Sequence, residues 1–476
     1  MPLVPLTMIS NQSMKEGRLP REWKEANITA IFKKGDRKDP GNYRPVSLTS
    51  VVCKLMEQLI KEEIVDHMTK NKLFCKEQHG FMAGRSTVTN LLETIDDWTR
   101  DLELGNNLDV IYLDFKKAFD KVPHRRLIRK LEQYHINDQT VKWVRDFLED
   151  RRQKVVVNGT ASAERLVTSG VPQGSVLGPV LFLIYINDLP DQLSSKCKIF
   201  ADDTKLYGVA DTEVERNTLQ EDLKKLEEWS ETWQMEFNIN KCSVLHLGKS
   251  NREANYIMKE KPLQKSTGEK DLGVFIDRKL NFKKHIQDVR SKAGRTLGIV
   301  KRNFKNLKPK HMTTIYKTMV RSKLEYANCI WYPKFEGDKD CLERVQRRAT
   351  KLITHLKDKT YCERLKELNL PTLDYRRGRG ALIQTYKIVK GIDRVEGGFL
   401  KPNKNIQTRG NSKKLEKERL KTNERRNFFS ARIVNSWNKL QETTVSAKNL
   451  NKFKAELEIG NTLGNKYNYK NWSNQQ

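Results

Sequence analysis

The stretch Cys197-Lys198-Ile199-Phe200-Ala201-Asp202-Asp203 ends a short apolar run on two adjacent carboxylates, and a second run, Leu206-Tyr207-Gly208-Val209, follows closely. The pattern predicts two strands meeting at a tight acidic turn. Neighbouring carboxylates repel each other, so keeping both on a turn between buried strands calls for a cation. Oxygen-only ligands of this kind suit Mg²⁺, which retains waters and takes one or two carboxylates plus substrate phosphates. The turn therefore points to phosphoryl transfer, although an Asp-Asp pair alone also suits an ordinary polar hairpin turn.

A third carboxylate extends the argument. Asp109-Val110-Ile111-Tyr112-Leu113-Asp114-Phe115 is β-rich and places Asp114 where the apolar run ends. If this strand and the acidic turn are neighbours in one sheet, three acids meet at one point. Two metals about 3.5–4 Å apart could be clamped there, one activating an attacking hydroxyl and the other neutralising a leaving phosphate.

Composition narrows the partner. The 476 residues suggest roughly three structural units. A formal charge of +30, from 90 Lys+Arg against 60 Asp+Glu, is too unbalanced for mere solubility and points to nucleic acid. Mean hydropathy is −0.73, and no stretch approaches the roughly 20 apolar residues of a membrane span, so no membrane partner is expected. The N-terminus, Met1-Pro2-Leu3-Val4-Pro5-Leu6, lacks the basic segment of a secretory signal. Seven widely spaced cysteines without a Cys-x-x-Cys argue for reduced thiols and against a disulfide framework or a zinc knuckle. An intracellular setting is expected, in a nuclear or cytoplasmic ribonucleoprotein.

Along the chain, residues 1–95 mix basic loops with helix, including Lys33-Lys34-Gly35-Asp36 and a helix predicted from Ser50 with Leu55, Leu59 and Ile64 at helical spacing. Residues 96–285 carry the strands and a core-facing helix with Leu219, Leu223, Leu226 and Trp233. From residue 286 helical patterns dominate, with clusters such as Arg344-Val345-Gln346-Arg347-Arg348 and aromatics among them. Such modules commonly track a nucleic-acid backbone. Residues 391–425 read as a flexible connection, and the tail after Gly460 as disordered.

Phe200-Ala201-Asp202-Asp203, with Asp114-Phe115-Lys116-Lys117-Ala118-Phe119-Asp120, resembles the C and A motifs of reverse transcriptases. Between them Ser169-Gly170-Val171-Pro172-Gln173-Gly174-Ser175 is similar to the B motif, in the family's order. Asn42-Tyr43-Arg44-Pro45, Gln78-His79-Gly80-Phe81, Asn240-Lys241-Cys242, Asp271-Leu272-Gly273-Val274 and Leu324-Glu325-Tyr326-Ala327 extend the likeness over nearly the whole chain. The spelling resembles the jockey-like branch of non-LTR retrotransposons, the long interspersed elements.

The resemblance implies an α+β right-hand polymerase: fingers over 1–95, a palm with an antiparallel sheet over 96–285, a helical thumb over 286–390, and a basic extension over 391–476. It implies an RNA-directed DNA polymerase that extends a primer 3′-hydroxyl with dNTPs on an RNA template, using two Mg²⁺ ions and a DNA primer or target DNA. Asp114 and Asp202 are the implied direct Mg²⁺ ligands, assisted by the Phe115 carbonyl, with Asp203 supporting. Phe119 matches the aromatic that excludes a ribose 2′-hydroxyl, and Gln173 a contact to incoming nucleotide and template. Arg44 matches a triphosphate-gripping arginine, with Lys34 or its neighbour Lys33 as a second clamp. Lys241 matches a lysine that donates a proton to pyrophosphate, and Leu272-Gly273 the primer grip.

Departures accompany the likeness. Met82 stands where many relatives carry arginine, leaving Arg85 as the substitute. The polymerase region begins within about 20 residues of Met1, without room for the upstream endonuclease of family elements, so the chain is expected to be a polymerase segment of a larger protein. The rival readings are a decayed or domesticated remnant that binds RNA without polymerising, and an RNA polymerase acting on RNA.

Overall fold

Leu108–Leu113 is a strand buried along nearly its whole length, and such an apolar run requires cover on both faces. It lies at the centre of a five-stranded sheet, in the order Gln264–Ser266, Ser243–Leu247, Leu108–Leu113, Asp203–Val209, Lys196–Phe200. Both neighbours of the central strand run antiparallel to it, while Gln264–Ser266 runs parallel to Ser243–Leu247. Alternate side chains enter two cores: Leu108 and Val110 join one, Ile111 and Leu113 the other. The computed structural model describes residues 3–304, 308–403, 410–460 and 463–467.

A second sheet forms from Tyr43–Leu48, Glu25–Phe32 and Arg152–Val157, with short strands at Thr160–Ala161 and Arg165–Leu166. Glu25–Phe32 pairs antiparallel with Tyr43–Leu48 and parallel with Arg152–Val157. Segment 152–166 therefore sits with 25–48 in space, although sequence order groups it with the strands of the central sheet. The expected 95/96 boundary falls inside the helix Thr87–Leu104.

The helix predicted from Ser50 runs Val51–Lys70, and the Ser50 hydroxyl accepts the Cys53 N–H as its cap. Its buried face is Cys53, Met56, Ile60, Ile64 and Met68. Leu55 and Leu59, expected inside, are 59% and 58% exposed. The two stripes compete at the same spacing, but the one through Leu55 and Leu59 meets Glu63 a turn later, whereas the other continues through Ile64 to Met68. Glu213–Thr232 buries Leu219, Leu223 and Leu226, as read, behind a capping box between Thr212 and Glu215, but Trp233 caps the helix end half-buried, and Trp229 is the tryptophan on the buried face.

Beyond residue 282 the chain is chiefly helical, and its helices share one core with Leu108, Val110 and Leu245 of the central sheet. The expected flexible connection is instead pinned along the helix Thr87–Leu104. Glu396 N–H donates to the Glu93 carboxylate (2.7 Å), Thr422 N–H to Glu103 (2.7 Å), and buried Arg425 pairs with buried Asp96 (2.5 Å). Phe399 and Leu415 supply the apolar anchors that a Lys-, Asn- and Gly-rich composition conceals. Residues 404–409 of this segment lie outside the described residues. Within the tail after Gly460, Leu463 is buried and the Lys466 carbonyl accepts the Thr372 N–H; residues 461–462 and 468–476 lie outside the described residues. Among the described residues no helix is long and apolar enough to cross a membrane.

Candidate active site

Strand register assembles the acidic corner. Leu113 pairs with Thr204, and Phe200 pairs with Asp203 across a two-residue turn formed by Ala201 and Asp202. Asp114, one step beyond Leu113, therefore lies beside that turn. Ala201 adopts φ 54°, a left-handed conformation costly for a residue with a Cβ. The buried Gln78 side chain holds it: its Oε1 accepts N–H bonds from both Ala201 (2.9 Å) and Gly80 (2.7 Å). A Cβ on Gly80 would lie 2.4 Å from the Ala201 nitrogen, so glycine is required for this approach.

The carboxylates feel one another. Burial first, then Asp114, raises the Asp202 carboxyl above its usual range, while Lys33 and Arg44 pull it back. Asp203 is pushed up to about 6, by burial first and then by Asp202, Asp271 and Asp114. Its side chain retains solvent access at the mouth of the corner, so screening trims that shift. Among the described residues, no three His, Cys, Asp or Glu side chains are grouped tightly enough to enclose an ion by themselves. This donor set, oxygen-only, fits Mg²⁺, which completes its shell with water and substrate phosphate.

Lys241 stands at this corner, its Nζ 3.2 Å from each carboxylate oxygen of Asp114. Phe115 is buried and stacked on Phe237 at 4.4 Å. Hydrogen bonds on either side fix its backbone, from Asn238 N–H to the Asp114 carbonyl and from Lys116 N–H to the Glu236 carbonyl. Phe119 is half-buried and stacked on Phe182 at 4.4 Å. Gln173 donates from Nε2 to Asp120 (2.9 Å), and its carbonyl accepts the Ser47 N–H (2.7 Å). Gly170 and Gly174, both with positive φ, let this turn press on Phe119-Asp120 and on Ser47, where a Cβ would come within 2.7 and 2.5 Å.

Arg44 lies exposed on the strand Tyr43–Leu48. Lys33 and Lys34 are both exposed just beyond the strand Glu25–Phe32, and the charge of Lys33 acts on Asp202. Arg85 does not take the place of the missing arginine. Its guanidinium binds the Lys76 and Gln78 carbonyls and Glu396, so it clasps the segment that carries Gln78.

Leu272 and Gly273 form the turn of the hairpin Gly268–Asp271/Val274–Asp277, with φ 43° and 89°. Three residues without an assigned role in the sequence reading hold this turn in place. Lys205, two residues past Asp203, forms a buried ion pair with Asp271. Tyr326 donates its hydroxyl to the Leu272 carbonyl (2.7 Å), and its ring lies 3.0 Å from where a Gly273 Cβ would stand. The signal for Lys205 was its position in a buried strand, where a lysine needs a partner.

The arrangement offers clustered carboxylates, flanking cations and a glycine-shaped groove, which suits chemistry at a phosphate. The chain matches, over residues 31–299, the family described as reverse transcriptase (RNA-dependent DNA polymerase). The probable RNA-directed DNA polymerase from transposon X-element of Drosophila melanogaster is 29% identical over 361 residues, covering 73% of this chain and 40% of that protein. The RNA-directed DNA polymerase from mobile element jockey of Drosophila melanogaster is 30% identical over 343 residues, 69% of this chain and 36% of that protein. The chain thus spans about two-fifths of the length of these relatives. Among solved structures it is similar to apo telomerase from Candida Tropicalis, at 11% identity and a TM-score of 0.43, over 76% of this chain and 66% of that one.

Proposed function

We propose that this chain, which belongs to the reverse transcriptase (RNA-dependent DNA polymerase) family, extends a primer 3′-hydroxyl with dNTPs copied from an RNA template. The observation that carries the proposal is the pairing of Leu113 with Thr204, which brings Asp114 against the Ala201-Asp202-Asp203 turn. Asp114, Asp202, Asp203 and the Phe115 carbonyl would hold two Mg²⁺ ions, whose chemistry when bound is to acidify the attacking hydroxyl and neutralise charge on the transferred phosphate.

The chain's own groups do the rest. Arg44 and Lys33 supply cations for the triphosphate on the same side as Asp202. Gln173, held by Asp120 and Ser47, shapes the floor under the incoming base. Lys241 is poised beside Asp114 to hand a proton to departing pyrophosphate. Leu272-Gly273 seats the primer end, in a right hand whose fingers, palm and thumb follow the second sheet, the central sheet and the C-terminal helices.

Primer extension on an RNA template with Mg²⁺ and dNTPs tests the reading. Asp202→Ala is expected to reduce extension about a thousandfold, equivalent to roughly 4 kcal/mol of lost charge stabilisation. Folded wild type that extends no better than this variant would mark the chain as a nucleic-acid-binding remnant.

A further inference from the structure

Behind the acidic turn, Lys198 of the strand Lys196–Phe200 stands directly opposite Lys205 of Asp203–Val209. Like charges so placed repel, and both side chains are largely buried, so each requires an anion of its own. Lys205 has Asp271. Lys198 has Glu93, a carboxylate only 3% exposed on the helix Thr87–Leu104. Glu93 has no part in the chemistry proposed above, yet three elements converge on it. One of its oxygens takes the Lys198 ammonium and lies 3.3 Å from His79 Nε2, while the other accepts the Glu396 N–H (2.7 Å).

Both inner partners lead to the acidic turn. The His79 N–H donates to the Ile199 carbonyl (2.9 Å) and the Ile199 N–H to the Glu77 carbonyl (3.0 Å), and Gln78 between them carries the Oε1 that holds Ala201. The C-terminal segment is stitched to the same stretch from outside. Arg394 N–H donates to the Gly84 carbonyl (2.7 Å), an approach so close that a Cβ on Gly84 would lie 3.1 Å from the Ile392 oxygen. Arg85 binds the Gln78 carbonyl (3.0 Å) and the Glu396 carboxylate (3.3 Å) together. We propose that Glu93 is a positioning residue for the acidic corner: it fixes Ala201-Asp202 through Lys198 and the Gln78 stretch, and makes their placement depend on the docked segment 394–396. The inference rests on the polymerase reading only in taking Asp202 as a residue that serves turnover. Misplacing such a group by about 1 Å lowers rate by up to about a hundredfold. Gln173 is held separately, by Asp120 and Ser47, so nucleotide affinity stays intact.

Two measurements on the full chain test this: hydrogen exchange at the Ala201 amide, and single-nucleotide extension resolved into kcat and KM. Glu93→Gln removes the charge at nearly constant size, and Arg85→Gln cuts the outer stitch and decides the matter should the first variant not fold. Leu226→Ala, on the buried face of Glu213–Thr232, controls for general destabilisation. Both test variants are expected to quicken exchange at Ala201 and to lower kcat about tenfold, with KM for dNTP within about twofold of wild type. Adding Gln78→Met to Glu93→Gln should cost little more than the larger single change, because both act through Ala201. Unchanged exchange at Ala201, equal quickening in Leu226→Ala, quickened exchange with kcat intact, a loss confined to KM, or full additivity with Gln78→Met would each overturn the inference. Wild type that extends no primer would remove the polymerase reading instead, and exchange at Ala201 would then decide by itself whether Glu93 fixes the turn.

Discussion

Phe119 joins the site to the core in a single side chain. Its ring stacks on buried Phe182, so its position is set by packing, while partial exposure leaves room for a ligand beside it. Phe119→Val is expected to raise rNTP over dNTP incorporation about 10–100-fold in single-nucleotide extension, the range over which apolar contacts discriminate substrates. An unchanged ratio would make Phe119 plain core. The meeting of Asp114 with the Asp202-Asp203 turn was legible because each acid ends a β-rich run. The choice between Lys33 and Lys34 was not. Both lie just past the end of the strand Glu25–Phe32, and the path of the loop there, not composition, decides which cation acts on Asp202.

The hairpin Gly268–Asp277 is held to the strand Asp203–Val209 by Lys205 and to the helical region by Tyr326. Because the ion pair is buried, Lys205→Met strands a carboxylate at Asp271 and is expected to destabilise the protein by about 3–5 kcal/mol in urea unfolding. Adding Asp271→Leu should recover most of that loss, since a well-packed apolar pair can replace a buried ion pair. Failure of the recovery would mean that the charges do more than satisfy each other.

In the helix Glu336–Thr350, burial pushes Glu343 up to about 7, with the Tyr361 hydroxyl and Arg377 opposing. Between about pH 4 and 7 the folded protein then holds a proton that the unfolded chain has released, so stability declines as pH rises through this window. Wild type should lose about 2–4 kcal/mol between pH 5 and 8 relative to Glu343→Gln, and parallel pH profiles for the two proteins would refute this assignment. Helix spacing showed that 336–350 is helical and basic, but gave no sign that its one fully buried acid faces Tyr361 and Leu373.

Two cores meet across the central sheet, and the C-terminal helices complete one of them: Phe428, Trp437 and Phe453 lie in the same cluster as Leu382, Tyr386 and Val110. Ending the chain at residue 390 is therefore expected to expose that core and yield aggregated or non-cooperatively unfolding protein. A monomeric product that melts like wild type in calorimetry would show the extension to be separable. Residue types and short spacings alone established the acidic turn, the third carboxylate and the helix start at Ser50, because each rests on local chemistry. Which stripe of 51–70 is buried, why 391–425 is fastened down, where 152–166 pairs, and how Lys205 and Tyr326 lock the turn at Leu272 emerged from the folded chain. These features depend on contacts between residues far apart in sequence, and such contacts are selected by the fit of the whole core and not by any single segment.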